Sequence, residues 1–254
     1  MSVTVAPART GEPSRPVRID EASLREAVRQ LTEREADLAT IVERHGMPPL
    51  WPREPGLRSL VQIVLEQQVS LASARAAYRR LQAVVNAIEP SRIAALDEAT
   101  ARAAGLTRQK QRYLVALGEA ILAGRLDLTS LAHESDDAVR GALTAIPGLG
   151  RWSADVYLLL ALRRPDVWAA HDLALAASVQ AVRRMPRRPR PEELDAMGEA
   201  WRPWRSAAAR LLWHAYLSGD RPRRGSTVPT LGASPHEPRA PGRARARTRS
   251  RRAP

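Results

Sequence analysis

Apolar residues recur at helical spacing along almost the whole chain, and that period decides the fold class before anything else does. Leu24, Val28, Leu31, Leu38 and Ile41 fall on one face of a helix expected over 20–44. Pro48, Pro49, Pro52 and Pro55 then break 45–56 into a loop. A buried helix is expected over 57–69 and a second over 71–88, starting near Ser70. Shorter helices open at Pro90 and at the DEAT stretch, 97–100. Thr107 reads as the N-cap of a helix running to Ala123, with Gly124 closing it. Ser135 caps a helix ending at Ala145, a helix over 151–163 follows a tight turn, and others start near Asp172, Pro191 and Pro203. The strict alternation of half-buried strands is scarce and Phe is absent. About ten helices with short connections describe an all-α protein.

The function classes narrow by absence. There is no Cys among the 254 residues, which excludes disulfides, thiolate zinc sites, iron–sulfur clusters and cysteine nucleophiles. No apolar run reaches the roughly 18 to 20 residues of a membrane span. The start, MSVTVAPARTGEPSRP, lacks the apolar stretch of a signal peptide, so a soluble cytoplasmic chain with no membrane partner is expected. No His/Asp/Glu cluster has zinc spacing, and no phosphate-cradling glycine loop of the nucleotidase type occurs.

The net charge is +13, and residues 221–254, with ten Arg and one acid, carry +9 of it. This Pro-, Gly- and Arg-rich tail has too few large apolar residues to offset its ordering entropy, so disorder is expected there and in 1–18. The folded part should span 19–220. A cationic tail of this density suits non-specific phosphate binding, and its removal should flatten the salt dependence of that binding. Nearly all the basic residues are Arg; Lys110 is the one lysine, which limits amine-based chemistry.

Between two amphipathic helices stands IPGLG, 146–150. Pro147 ends the first helix, and Gly148 and Gly150 are expected to take conformations closed to other residues. Such a turn aims backbone N–H groups outward at the start of the next helix, where a phosphate needs no side-chain charge. Helix hairpins of this composition also occur without any ligand.

The wider segment, LTAIPGLGRWSADVYLLLALRRPDVWAAHDLALAASV (143–179), resembles the helix–hairpin–helix, Gly/Pro-loop and Asp signature of a DNA glycosylase superfamily. Within that superfamily the chain looks most like the 3-methyladenine DNA glycosylase II branch. LVQIVLEQQVSLASARAAYRRL (60–81), AGLTRQKQRYLVAL (104–117) and WRPWRSAAARLLWHAY (201–216) match the same branch in order. The resemblance implies a two-lobed helical fold, with the branch's N-terminal β-rich domain absent or reduced, since only 66 residues precede Gln67. It implies a cleft between the lobes, with the hairpin and Asp172 on one rim.

It also implies roles. Asp172 matches the catalytic aspartate, a carboxylate that stabilises the oxocarbenium charge of a breaking N-glycosidic bond and orients water; as a side chain it also suits the N-cap of the next helix. Trp152 and Trp213 match tryptophans of the base pocket, where an indole stacks on a cationic alkylated base. Trp152 stands where strand-cleaving relatives carry a Schiff-base lysine, which implies a monofunctional enzyme. Gln68 matches the wedge that fills the gap left by a flipped base, with Gln67 supporting it. Pro147, Gly148, Leu149 and Gly150 would meet a DNA phosphate, and the carbonyls of Thr144, Ile146 and Leu149 would hold a monovalent cation; no cofactor is otherwise required. Val156 and Leu173 replace aromatics found in some relatives, His171 is not usual to every relative and reads as a spectator, and Arg205 and Ser206 read as anchors of the last helix. The expected protein is a monomeric hydrolase excising alkylated purines from damaged double-stranded DNA, working at the nucleoid. The alternative is a non-catalytic helix–hairpin–helix DNA-binding protein, which would have no reason to keep a carboxylate at position 172.

Overall fold

The structure is a computed structural model that describes residues 18–220; the expectations for 1–17 and for the Arg-rich tail lie outside these. Among the described residues there are twelve α-helices and no strand. Helices α1 (Glu21–Arg34), α2 (Ala36–His45), α10 (Leu173–Val182) and α12 (Arg205–Leu217) pack on one another, bringing both ends of the domain together. The intervening α3 (Leu57–Glu66), α4 (Leu71–Val85), α5 (Pro90–Ala94), α6 (Glu98–Ala103), α7 (Arg108–Leu122), α8 (Asp136–Thr144) and α9 (Arg151–Val156) form a second group. Helix α11 (Pro191–Gly198) packs on the loop that precedes α10, where Gly198 lies against Trp168 and the Trp168 indole donates to the Leu194 carbonyl at 2.9 Å. Helix α3 touches α9 and the turn that follows it.

The caps formed where side-chain chemistry places them. Asp20 and Ser23 make a reciprocal box at the start of α1, and Ser70, Asp97, Thr107 and Ser135 accept from the third residue of α4, α6, α7 and α8.

Four expected boundaries differ. The helix expected over 20–44 breaks at Glu35 (φ −130°, ψ 98°), which lets α1 and α2 each lie on α12 and sets the Glu35 carboxylate 3.0 Å from Arg183. The helix over 57–69 stops at Glu66, and the one over 71–88 stops at Val85, where Asn86 turns to φ 64°. The helix over 151–163 becomes a π turn at Tyr157–Ala161, where the Leu162 N–H reaches back to the Tyr157 carbonyl at 3.0 Å.

Carbonyls around that turn find other donors. Arg53 N–H takes the Leu160 carbonyl at 3.1 Å, and the Arg210 guanidinium takes that of Leu159 at 2.7 Å. Arg210 is fully buried and also donates to the carbonyls of Leu50 and Ser206, so one side chain ties the proline-rich loop, the π turn and α12 together. Burial pushes its pKa down to about 10. Arg205 and Ser206 act as the expected anchors: Arg205 Nε pairs with Asp166 at 2.9 Å, and Ser206 Oγ bridges the N–H and carbonyl of Val167.

Candidate active site

A cavity of about 410 Å³ opens where α3, α4, α9 and α12 meet. Its walls include Trp51, Tyr78, Trp152 and Trp213, with Val156 and Leu160 from the stretch around the π turn. The two tryptophans expected in a base pocket are therefore here, and so is Val156. Leu173 and His171 are not among the lining residues; the Nδ1 of His171 is buried without a partner.

Asp172 does not stand on a rim, as expected; it is completely buried behind the indole wall. It N-caps α10, with Oδ1 accepting from the Leu175 N–H at 2.7 Å. Oδ1 also accepts from Trp213 Nε1 at 3.2 Å, and Oδ2 accepts from Trp152 Nε1 at 2.7 Å. The aromatics of the wall and the carboxylate are thus one hydrogen-bonded unit. The cap reading and the site reading coincide, because capping is what holds the carboxylate rigid. Desolvation raises the pKa of Asp172 above the ordinary value, against the pull of the Leu175 amide and the two indoles.

The hairpin lies against Tyr113 of α7 and Gln67 at the end of α3. Ile146 and Leu149 are buried and anchor it, while Pro147 and Gly150 face solvent. Gly148 has φ 88°, and a Cβ there would lie 2.1 Å from the Tyr113 ring, so close approach as well as conformation demands glycine. Gly150 departs from expectation: its φ is −84° and a Cβ would meet nothing, so its conformation is open to other residues. The Leu149 N–H is used within the turn, on the Ile146 carbonyl at 3.0 Å. The amides left without a helical partner are those of the first turn of α9. The buried Asp155 clamps α9 to α8 through Arg140 at 2.8 Å and pairs within α9 with Arg151 at 3.0 Å.

The wedge segment and the hairpin are joined. Gln67 Nε2 donates to the Gly148 carbonyl at 2.7 Å and approaches Ser153 Oγ at 3.2 Å. Gln67 is extended, and Gln68 follows at φ 57° with its residue exposed. Lys110 Nζ donates to the Leu65 carbonyl at 2.6 Å, a cation placed on the last turn of α3. Burial pushes its pKa down to about 8.

Sequence reading missed Trp51, Arg53, Glu66 and Tyr78 in the cavity. Arg53 and Trp51 sit in a loop with no period, and Glu66 reads as an ordinary polar helix end; nothing short of the folded chain brings them to one wall.

Residues 61–205 match the family model described as HhH-GPD superfamily base excision DNA repair protein. Over 172 residues the chain is 30% identical to DNA-3-methyladenine glycosylase 1 of Schizosaccharomyces pombe, covering 66% of this chain and 75% of that protein. It is 31% identical to DNA-3-methyladenine glycosylase 2 of Escherichia coli over 133 residues, 52% of this chain but only 43% of that longer protein. The solved structure of the S. pombe 3-methyladenine DNA glycosylase in complex with abasic DNA superposes with a TM-score of 0.70 at 26% identity, over 78% of this chain and 100% of that one. The chain belongs to the HhH-GPD superfamily of base excision DNA repair proteins.

Proposed function

We propose that the protein is a monofunctional DNA glycosylase that flips and hydrolytically excises alkylated purines of the 3-methyladenine type. The observation that carries this reading is the Asp172 carboxylate, fully buried and held by the N–H groups of two indoles that themselves wall the cavity. A binding module gains nothing from a desolvated carboxylate kept behind the wall of a cavity, which disfavours the non-catalytic alternative. The relatives named above are described as 3-methyladenine glycosylases, in support of the substrate class.

Cleavage of the N-glycosidic bond builds positive charge on the deoxyribose. A fixed negative charge behind an apolar wall stabilises that charge strongly, because little water screens it. Both Asp172 oxygens already accept hydrogen bonds, so the carboxylate acts first through its field. It activates water only once water reaches it past the indoles, since it has no exposed surface. A cationic base is already a good leaving group, and Trp152 and Trp213 would hold it by stacking and cation–π attraction. Gln68 would fill the gap in the duplex, offsetting part of the few kcal/mol that base extrusion costs. Pro147, Gly148, Leu149 and Gly150, with the amides that open α9, would receive a backbone phosphate.

A monovalent cation fits the hairpin carbonyls as a structural group. Thr144 ends α8, where carbonyls lack helical partners, and the Ile146 carbonyl keeps one lone pair beside its bond from Leu149. With Leu149 these would hold it and add positive charge toward a phosphate. Cavity, wedge segment and hairpin all come from one chain, which supports action as a monomer on double-stranded DNA. No helix among the described residues is long and apolar enough to cross a membrane, and DNA in the nucleoid is the expected place of work.

The test is base release from methylated duplex DNA, with products identified chromatographically, by wild type and by Asp172→Asn. Free 3-methyladenine from wild type, largely lost in the variant, is the expected result. Binding without release from any modified duplex would hand the protein to the non-catalytic reading.

A further inference from the structure

The cavity wall holds one ion pair, and its geometry is that of a half-used fork. Arg53 Nη2 meets Glu66 Oε1 at 2.7 Å, with both side chains mostly buried. An Arg–carboxylate pair that serves structure alone is commonly bidentate, two parallel bonds satisfying both ends. Here only one bond forms. Arg53 Nη1 is buried with no acceptor, and the bond found to Glu66 among the described residues falls on Oε1. A donor shut off from the cavity until the guanidinium turns, and a carboxylate oxygen outside the pair's bond, therefore belong to a wall otherwise made largely of aromatic and apolar groups. Both residues are held from behind: Arg53 through its backbone N–H on the Leu160 carbonyl, and Glu66 as the last residue of α3, whose final turn Lys110 caps.

We infer that Glu66 and Arg53 read the edge of the flipped base and select purines that keep an N–H donor next to an acceptor. This rests on the glycosylase reading above and narrows its substrate class. An adenine-type edge offers an exocyclic N–H beside a ring nitrogen; a guanine-type edge offers a ring N–H beside a carbonyl oxygen. Either satisfies Glu66 Oε2 and, after a small turn of the guanidinium, Arg53 Nη1. Ethenoadenine cannot, because its fused ring has consumed the exocyclic N–H and would leave Glu66 facing apolar carbon. A site built around such a bond rejects an analogue lacking it much more strongly than an apolar pocket rejects a change of shape. The aromatic walls alone would accept all flat bases, so the pair is where discrimination resides.

The experiment is single-turnover release by the full chain from two duplexes, one carrying N-methylpurines and one carrying ethenoadenine, with the ratio of the two rates as the readout. Wild type should favour the methylpurine. Glu66→Leu and Arg53→Met should each lower that ratio by about 10- to 100-fold, the worth of a hydrogen bond to a charged group. Glu66→Gln, which keeps shape and an acceptor oxygen, should retain most of the ratio and guards against a folding defect in the bolder variants. A ratio unchanged in Glu66→Leu and Arg53→Met, with both rates falling together, would make the pair structural and overturn the inference alone. Release of no base by wild type would overturn the glycosylase reading, and this inference with it.

Discussion

Asp172 and Gln68 serve the same proposed reaction from opposite conditions. Asp172 has no exposed surface and accepts three hydrogen bonds. Gln68 is exposed, its side chain makes no hydrogen bond among the described residues, and its backbone sits at φ 57°. The first is overdetermined by packing and costs the fold a desolvated charge. The second costs it only a turn of strained backbone. A buried charge needs rigid partners before it can do chemistry, whereas a wedge needs to stand clear of the protein to enter a duplex. Changes at Asp172 should therefore couple activity to stability and pH, and changes at Gln68 should not.

The largest expected effect is at the carboxylate. Asp172→Asn should lower base release by about 100- to 1,000-fold, the scale of removing a preorganised electrostatic group. Its signature is thermodynamic as well. The folded-state pKa is raised, so the contribution of this group to stability is full below the ordinary carboxylate pKa and is lost as pH rises through the raised value. Denaturant unfolding across that range should show the fall in wild type and not in the variant. An identical pH slope in both would mean that Asp172 is not the desolvated group described.

Next come its partners. Trp152→Phe and Trp213→Phe each remove one donor while keeping an aromatic wall. Each should cost about 10- to 100-fold in release, and Trp152, at 2.7 Å, should matter more than Trp213, at 3.2 Å. Losing a donor raises the Asp172 pKa further, so the acid limb of the pH–rate profile should move upward in both. An unmoved limb would uncouple the indoles from the carboxylate.

The helices, their order and most caps were legible because period and cap chemistry are local properties of the chain. Thr107 and Ser135 needed only their neighbours three residues on. The family motifs located Trp152, Asp172 and Gln67 because their spacing is tied to one hairpin. What could not be read was set by contacts across the fold. The break at Glu35 answers to Arg183 and α12, and the π turn at Tyr157–Ala161 sits among donors from Arg53 and Arg210. The burial of Asp172 depends on α12 bringing Trp213 over it. Arg53 and Glu66 are separated by a helix and a glycine turn, and neither carries a motif.

The hairpin supplies a smaller effect and an internal control. Gly148→Ala would drive a Cβ into the Tyr113 ring at a positive φ, and should cost about 1 to 3 kcal/mol, the range for overpacking. Gly150→Ala, at φ −84° with open space around its Cβ, should stay within about 0.5 kcal/mol of wild type. Equal losses of thermal stability in the two variants would contradict the placement of Tyr113 against the turn. DNA affinity separates the roles differently, since both glycines belong to the proposed phosphate site.

The smallest change in the protein itself is expected at Gln68. Gln68→Ala removes a side chain with no partner in the described structure, so stability should move by less than about 0.5 kcal/mol. Ala also tolerates a left-handed backbone little worse than Gln. The loss should appear only on DNA. In a duplex the wedge replaces stacking given up by the flipped base, so release should fall several-fold; in a single strand there is no stack to replace, and release should be unaffected. Gln67→Ala behaves differently, because Gln67 holds the Gly148 carbonyl and its loss loosens wedge and hairpin together. It should lower stability as well as release, on single strands and duplexes alike. If Gln68→Ala lowered release equally on both substrates, the exposed residue would be part of the pocket's support rather than a wedge, and the two halves of the site would not divide the labour as their burial implies.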